Sequence, residues 1–312
     1  MSNSLLSPIF IPTLRIIMTN KCNGECFFCH KEGNFQCHKD ISQMNLDTIH
    51  KEIIPAIKTI GIKKVIFTGG EPTMHKDIAL AINMVKSECK DILVGITTNG
   101  YDIDNLIPAK DNLDRLTMSV SSLKNSIYMH YTKINPCELV NDLHAFNKTK
   151  KSVSIVVTDE NHTELNDLIE YFVSNEFDIK LQFIIPNKEK GDTSWNRKIL
   201  YYLMEMYGKF DIELGATPIL YKKIGNSKLK IKLASLNIWM YDNIFIRRSC
   251  LHCEKKLECV ERGCAVRIYP NGTVTSCLNN FNIFSSNNIR QNIVDAYQSL
   301  EIIENLCNSN LT

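Results

Sequence analysis

Apolar runs and polar breaks alternate along the first two thirds of the chain in a repeating order. Leu14–Met18 is a short apolar run that stops at Thr19-Asn20. Leu46 to Thr59 follows with apolar positions at helical spacing, and Asn45 or Asp47 is placed to cap its start. Lys64–Phe67 (KVIF) reads as a buried strand ending at Gly69-Gly70. Asp77–Lys90 predicts a helix, and Ile92–Thr97 predicts a strand that stops at the turn signal Asn99-Gly100. Leu116–Val120, Val153–Val157 and Lys180–Ile185 read as further strands, with helices predicted over Pro136–Lys148 and Glu164–Ser174. Six β/α units in series predict an α/β fold of parallel strands covered by helices and joined by right-handed crossovers.

The pattern weakens from about Trp195, after a polar loop at Asn187–Thr193. Asn196–Gly208 reads as a helix, Lys228–Leu233 as a strand, and Asn292–Cys307 as a closing helix. Two regions are therefore expected, a β/α core over 1–194 and a C-terminal region over 195–312. There is no internal repeat, and Asn279–Asn288 is the one stretch biased toward Asn and Ser.

Composition narrows the function classes. Among 312 residues, 44% are hydrophobic and 22% charged, which excludes disorder along the whole chain. A net charge of +2 gives no support to a protein that coats nucleic acid or an anionic membrane surface. No apolar run approaches the roughly 20 residues of a membrane span. Met1–Phe10 lacks the basic flank and long apolar stretch of a secretory signal, so a cytoplasmic location is expected. Twelve cysteines then need a reason other than structural disulfides, which a reducing compartment disfavours.

The cysteines are clustered. Cys22, Cys26 and Cys29 form a CxxxCxxC loop after the first strand, while Cys250, Cys253, Cys259, Cys264 and Cys277 gather near the C-terminus. Cys37, Cys89, Cys137 and Cys307 are scattered and read as small hydrophobes. Three thiolates on one short loop can reach a single centre, and soft sulfur ligands favour an iron–sulfur cluster or zinc. Structural zinc takes four protein ligands, and here His30, Cys37 or His38 could complete a zinc set. Three ligands on a cubane leave one iron open to a further ligand. The loop follows a strand, and ligand sites gather at strand C-terminal ends in parallel α/β folds.

Cys22-Asn23-Gly24-Glu25-Cys26-Phe27-Phe28-Cys29 resembles the signature of the radical S-adenosylmethionine (radical SAM) enzymes. In that family the three cysteines hold a 4Fe-4S cluster whose fourth iron is chelated by SAM. One-electron cleavage of SAM then gives a 5′-deoxyadenosyl radical that abstracts hydrogen from the substrate. The resemblance implies that Phe28 packs near the adenine. Gly69-Gly70-Glu71-Pro72, at the end of the second strand, looks like the family's GGEP element, which contacts the SAM amine. Glycines there permit close approach of backbone to a ligand, and Glu71 can accept from an ammonium. Thr98 and Asn99 of Thr97–Gly100, and Ser119 and Ser121 of Ser119–Leu123, match further strand-end elements that contact SAM. The fold this implies is a partial (β/α)6 TIM-like barrel.

The stretches Leu14–Asn23, Cys29–Gly33, Phe67–Asp77, Thr97–Gly100 and Ser119–Thr132 look like the MoaA family, the GTP 3′,8-cyclases. Arg15 is retained, and Arg267 is the single arginine where that family carries two, so both are candidate substrate residues. Departures are His75 or Lys76 in place of an arginine after GGEP, and Asn308–Thr312 where the family has Gly-Gly. In the C-terminal cluster, Val266–Tyr269, Pro270-Asn271-Gly272 and Thr273–Ser276 predict a hairpin that returns Cys277 toward the earlier cysteines. The spacing Cys250-x2-Cys253-x5-Cys259 is closer to the SPASM and twitch style of peptide-modifying relatives. Cys250, Cys253, Cys259 and Cys277 are the expected ligands of an auxiliary 4Fe-4S cluster, with Cys264 as the alternate and structural zinc as the competing occupant.

Three functions follow from these features. The first is a MoaA-like radical SAM enzyme acting on a nucleotide or other polar metabolite. The second is a maturase acting on a ribosomally made peptide. The third is a non-catalytic iron–sulfur or zinc protein, which leaves the GGEP and strand-end hydroxyls without a role. For either enzyme the resemblance implies an electron donor such as flavodoxin or ferredoxin.

Overall fold

The computed structural model describes residues 13–29, 32–33, 41–124, 143–158, 160–183, 194–213, 219–232, 246–247, 265–277, 283–300 and 302–303. β1 spans Thr13–Ile17. A helical stretch follows as α1 (Leu46–Thr48), a π-helical segment Ile49–Ile53, and α2 (Ile54–Ile60). Of the two candidate caps, Asn45 does the work, its side chain accepting from Asp47 N at 2.7 Å. Gly61 ends the stretch in the left-handed conformation, φ +75°.

β2 (Lys64–Thr68), α3 (Ile78–Glu88), β3 (Leu93–Thr98), β4 (Arg115–Ser119), β5 (Lys150–Val157), α4 (Leu165–Ser174) and β6 (Asp178–Phe183) complete the predicted alternation. One unit departs from it. The connection from β3 to β4 is a 3₁₀ stretch, Asp104–Asn112, with Pro108 inside it. Proline removes a donor and crowds an α-helical turn, so the tighter connection forms instead. Of the helix expected over 136–148, residues 136–142 lie outside the described residues, Leu143–Ala145 is a 3₁₀ turn, and 146–148 is turn rather than helix, leading into β5.

The C-terminal third adds α5 (Ser194–Tyr207), β7 (Asp211–Glu213), β8 (Ile219–Ile224), β9 (Ser227–Lys232), β10 (Ile246–Arg247), β11 (Ala265–Ile268), β12 (Val274–Thr275), β13 (Ile283–Phe284), α6 (Ile289–Ser299) and β14 (Ile302–Ile303). The closing helix is shorter than the pattern Asn292–Cys307 suggested and begins earlier, because Asn288 caps it by accepting from Gln291 N.

Among the described residues, twelve strands form one sheet in the order β13-β12-β11-β1-β2-β3-β4-β5-β6-β9-β8-β7. β1 to β6 are parallel neighbours in chain order, the parallel run of a partial TIM-like barrel. β9 pairs in parallel with β6, and β11 in parallel with β1. The sheet therefore continues across residue 194, and the C-terminal region extends both of its edges.

Register divides the sheet into two unlike faces. Leu14, Ile16, Val65, Phe67, Val94, Ile96, Leu116, Met118, Val153, Ile155, Ile179 and Leu181 are buried in one hydrophobic cluster with Ile78, Ile82 and Val85 of α3 and Leu168 and Phe172 of α4. Their alternates point the other way. That inner face carries Arg15, Thr97, Arg115, Thr117, Ser119, Ser152, Ser154, Lys180 and Gln182, together with the apolar Ile17, Ile66 and Val156. The Thr117 and Ser152 hydroxyls meet across it at 2.9 Å. Parallel strands covered on both faces read as continuous apolar runs; β2 does so, while β4 to β6 alternate, so the inner face is polar toward β4–β6. No helix among the described residues is long and apolar enough to cross a membrane.

Candidate functional site

The cysteine loop leaves the C-terminal end of β1. Met18 N donates to Thr68 O at 2.8 Å, which carries the β1–β2 pairing one residue further. Gly70 N then donates to Thr19 O at 2.7 Å and Glu71 N to Lys21 O at 2.8 Å. These bonds lay the GGEP turn directly on the first residues of the cysteine loop. A Cβ on Gly69 would stand 2.4 Å from Thr19 O, and one on Gly70 2.3 Å from Lys21 O. The backbone that the two glycines admit is thus the protein's own loop. Gly33 closes the other side, where a Cβ would lie 2.3 Å from Gly70 N.

Glu71 holds the block together from within. Its residue is 1% exposed. Oε1 accepts from Thr73 N at 3.0 Å, from Thr73 Oγ1 at 2.8 Å and from the Thr98 hydroxyl, and Oε2 accepts from Asn99 N at 2.7 Å. A carboxylate has about four acceptor sites, so Oε2 keeps the remaining capacity for a ligand amine. Burial pushes the Glu71 carboxyl up, and the bonds from Asn99, Thr98 and Thr73 oppose it. Asn99 in turn donates through Nδ2 to Asn23 Oδ1 at 2.9 Å. The ends of β2 and β3 and the cysteine loop are therefore one hydrogen-bonded unit. Pro72 is buried at the start of the 3₁₀ turn Pro72–Met74. His75, expected as a substitute for an arginine, is buried: Nε2 donates to Met44 O at 2.9 Å while Nδ1 accepts from Asp77 N at 3.1 Å.

The cysteines lie at the rim, with Cys22 and Cys29 exposed and Cys26 half-buried. Cys29 N donates to Cys26 O at 3.0 Å and Gly24 N to Cys22 Sγ at 3.4 Å, so the loop curls over its own sulfurs. Burial, and then the neighbouring Cys29 and Cys22, push the Cys26 thiol up to about 11. Burial also pushes Cys22 up, with Glu71 and Cys29 adding to it. The three sulfurs thus feel one another, and ligation by them is coupled to proton release. Among the described residues no three His, Cys, Asp or Glu side chains already stand as a preformed metal cage. The donor set itself, three soft thiols on one loop at a strand end, fits a thiolate-held iron–sulfur cluster. Phe28 is half-buried beside Cys29, with its ring 5.2 Å from that of Phe27, which is 60% exposed.

Ser119 and Ser121 stand at the end of β4. Ser119 is half-buried on the inner face, and Ser121 is buried with its carbonyl accepting from Asn161 Nδ2 at 2.6 Å. Asn161 also donates to Val156 O at 2.8 Å, and the Ser122 hydroxyl donates to buried Glu164. Asn161 and Glu164 thus fix the β4 end against the β5 end, a role invisible in a sequence where they lie 40 and 42 residues from their partners.

Arg15 and Arg267 are side by side, partners in the β1–β11 register. Glu32 lies between them. Its Oε1 accepts from Arg267 Nε at 2.6 Å and its Oε2 from Arg15 Nη2 at 2.7 Å. Arg15 Nη2 also reaches Thr68 Oγ1 at 3.3 Å. Glu32 and Gly33 are site-building residues that the sequence placed in a family-like stretch, Cys29–Gly33, without giving either a role. Cys277 is half-buried just after β12. Cys250, Cys253, Cys259 and Cys264, like His30, Cys37 and His38, lie outside the described residues.

Comparison with known proteins agrees with this geometry. The family model described as "Radical SAM superfamily" matches residues 16–172, half of the chain. A probable GTP 3′,8-cyclase of Thermococcus kodakarensis is 30% identical over 210 residues, 64% of this chain and 66% of that protein. A second, from Methanocaldococcus jannaschii, is 28% identical over 281 residues, 86% of this chain and 85% of that protein. The match to the Thermococcus protein thus spans just under two thirds of its length. Streptococcus suis SuiB bound to S-adenosylmethionine shares the fold with a TM-score of 0.67 at 16% identity, covering 93% of this chain and 66% of that one. SuiB bound to precursor peptide SuiA gives 0.66 at 17% identity, covering 93% and 65%. Residues 16–172 take in the three cysteines on the β1 loop, the GGEP turn laid against them and the parallel strands that carry both, and the chain belongs to the Radical SAM superfamily.

Proposed function

We propose that this radical SAM enzyme acts on a small polar metabolite bearing an oxyanion, of the nucleotide class, held against the inner face of the sheet. The observation that carries this reading is the face itself: Arg15, Arg115, Lys180, Thr97, Thr117, Ser119, Ser152, Ser154 and Gln182 stand among Ile17, Ile66 and Val156 where a filled barrel would present apolar residues throughout. Guanidinium and ammonium groups suit phosphate or carboxylate, and a row of hydroxyls suits a sugar or amide. The relatives named as probable GTP 3′,8-cyclases support the nucleotide class.

Residue roles follow from the geometry. Cys22, Cys26 and Cys29 would hold the 4Fe-4S cluster implied by the family, which with bound SAM supplies one-electron, hydrogen-abstracting chemistry. Gly69, Gly70, Glu71 and Pro72, with Thr98 and Asn99, form the rigid floor on which SAM would rest, and Phe28 would flank its adenine. Ser119 and Ser121 present a hydroxyl and a fixed backbone from the next strand end. Glu71 supports the floor through Asn99 and offers Oε2 toward the SAM amine. Cys250, Cys253, Cys259 and Cys277 would hold the auxiliary 4Fe-4S cluster over the C-terminal region. On this reading residues 1–194 supply the SAM site, and 195–312 close it.

A peptide substrate is the second reading, favoured by the likeness to SuiB, whose fold covers the C-terminal region of this chain as well as its core. Anaerobic, reduced enzyme incubated with SAM and either GTP or a panel of candidate peptides separates the two. The first reading expects 5′-deoxyadenosine in step with a mass change on the nucleotide. Substrate-dependent 5′-deoxyadenosine from a peptide, with none above background from any nucleotide, would sink it.

A further inference from the structure

A side-chain bond ties the cysteine loop to the end of β3. Asn99 closes an Asx turn, its Oδ1 accepting from Tyr101 N at 3.0 Å. A backbone N–H only donates, so this bond settles which end of the amide is oxygen and leaves Nδ2 to donate to Asn23 Oδ1 at 2.9 Å. The backbone of Asn99 is anchored as well, because its N–H donates to Glu71 Oε2 at 2.7 Å. Asn23 therefore meets a donor that is held in place rather than a mobile side chain.

Asn23 stands between Cys22 and Gly24, and Gly24 N donates to Cys22 Sγ at 3.4 Å. Asn23 is thus the middle residue of the turn that this bond closes. Rotation about its φ or ψ would swing the Gly24 N–H away from the sulfur. The bond to Asn99, 76 residues away in the chain, restrains that rotation. A thiolate-held cluster gains negative charge on reduction. An N–H aimed at a ligand sulfur favours the more negative state, so such a bond raises the reduction potential.

We propose that Asn23 is a positioning residue for the reduction potential of the cluster: anchored on Asn99, it holds the turn that keeps the Gly24 N–H on Cys22 Sγ, and so makes the cluster easier to reduce. This role rests on the reading of Cys22, Cys26 and Cys29 as the cluster ligands. It adds that the floor proposed for SAM and the electron affinity of the cluster are joined through a side-chain bond. Asn23 carries no thiolate, so its loss changes the potential without changing the ligand count.

The test uses the full-length, cluster-loaded protein in an anaerobic redox titration. The readout is the EPR signal that is lost when Cys22, Cys26 and Cys29 are together replaced by Ala. Asn23→Ala should move the reduction equilibrium about tenfold toward the oxidised cluster, a potential about 59 mV more negative for one electron. Iron content should stay at that of the parent. Asn99→Ala should move the potential by the same amount, and the double variant no further, because either change cuts the same bond. The second measurement needs no variant to fold. Parent protein labelled isotopically at the glycine nitrogens should show, in pulsed EPR of the reduced cluster, a nitrogen coupling from an amide bonded to sulfur. Absence of that coupling overturns the role of Asn23. So do equal potentials in parent and Asn23→Ala, or a shift for Asn99→Ala alone; in each case the ligand reading stands. If the parent holds no cluster that depends on the three cysteines, that reading falls too.

Discussion

Glu71 Oε2 accepts the backbone N–H of Asn99 at 2.7 Å, a bond that ties the turn after β2 to the end of β3 across 28 residues. With three more donors on Oε1, the carboxylate acts as an internal staple. Glu71→Ala removes the acceptor of two backbone N–H groups, buried Thr73 and half-buried Asn99. The expected cost is about 3 kcal/mol of stability. SAM affinity, read by anaerobic calorimetry, should fall about tenfold or more, equivalent to about 1.4 kcal/mol. Iron content should stay near that of the parent, since Glu71 is not among the cysteine ligands. Unchanged SAM affinity in a folded variant would show that the staple and the cofactor floor are independent.

Gly33 carries a sharper steric prediction. An added methyl would stand 2.3 Å from Gly70 N and 2.4 Å from Gly69 C, both backbone atoms of the turn. Neither can yield as a flexible side chain would. Gly33→Ala should cost about 3 kcal/mol by overpacking, and thermal melting checks it. Gly225→Ala is the contrast. Its Cβ meets nothing within 4 Å, but its φ of +56° makes the cost one of backbone strain, about 1 kcal/mol.

Much of this block was legible in the sequence because its parts sit at strand ends, and strand ends are marked by turn residues. CxxxCxxC after Leu14–Met18 and GGEP after Lys64–Phe67 are local signals, and the structure sets them on successive parallel strands. What local signals cannot carry is which atoms face inward. Glu71 looks from sequence like an acceptor waiting for an ammonium, whereas most of its capacity is spent on Thr73, Thr98 and Asn99. Arg15 and Arg267 were visible as candidates, but Glu32, which joins residues 17 and 235 positions away, was not. The polar inner face did leave a trace. RLTMS at β4, KKSVSIVV at β5 and DIKLQF at β6 alternate where buried parallel strands should be continuously apolar.

Asp178 predicts a pH response of the sheet. It joins three strands, accepting from Lys228 N at 3.0 Å, from Lys230 Nζ at 3.1 Å and from Lys150 Nζ at 3.0 Å. Burial works against its charge, but the bonds from Lys150 and Lys230 outweigh it and hold the carboxyl below the ordinary range. A depressed folded pKa stabilises the fold above the unfolded value of about 3.9. That contribution is lost as pH falls through the folded value. Asp178→Asn should cost about 1–2 kcal/mol at pH 7. The gap between parent and variant should close below about pH 4 in denaturant titrations. A gap that stays constant down to pH 3 would mean the bonds matter without the charge.

Iron counting tests the proposed metal ligands. Reconstituted protein should hold about two 4Fe-4S clusters, and replacing Cys22, Cys26 and Cys29 together by Ala should leave about one. Replacing Cys259 should leave the N-terminal cluster and uncoupled SAM cleavage in place while abolishing turnover of the substrate. Zinc at the C-terminal cysteines, with iron for a single cluster, would overturn the auxiliary assignment.

The last prediction sets stability against function at Arg115. This residue begins β4 on the inner face, beside Gly95, where a Cβ would lie 3.4 Å from the Arg115 Cβ. Its Nε is buried and has no hydrogen-bond partner among the described residues. An orphaned buried donor costs about 1–3 kcal/mol, and a chain keeps such a group where it serves something other than the fold. Arg115→Met retains the length of the side chain and removes the unmet donor. Melting temperature should therefore rise, by about 2–4 °C for a chain of this size. Uncoupled SAM cleavage should continue, because Arg115 lies at the opposite end of β4 from Ser119. Coupled 5′-deoxyadenosine formation with the true substrate should fall, and the loss should sit in KM if Arg115 meets substrate charge in the ground state. A variant that is both less stable and fully active would show that Arg115 supports the sheet, and the inner face would lose one of its cations as a substrate contact.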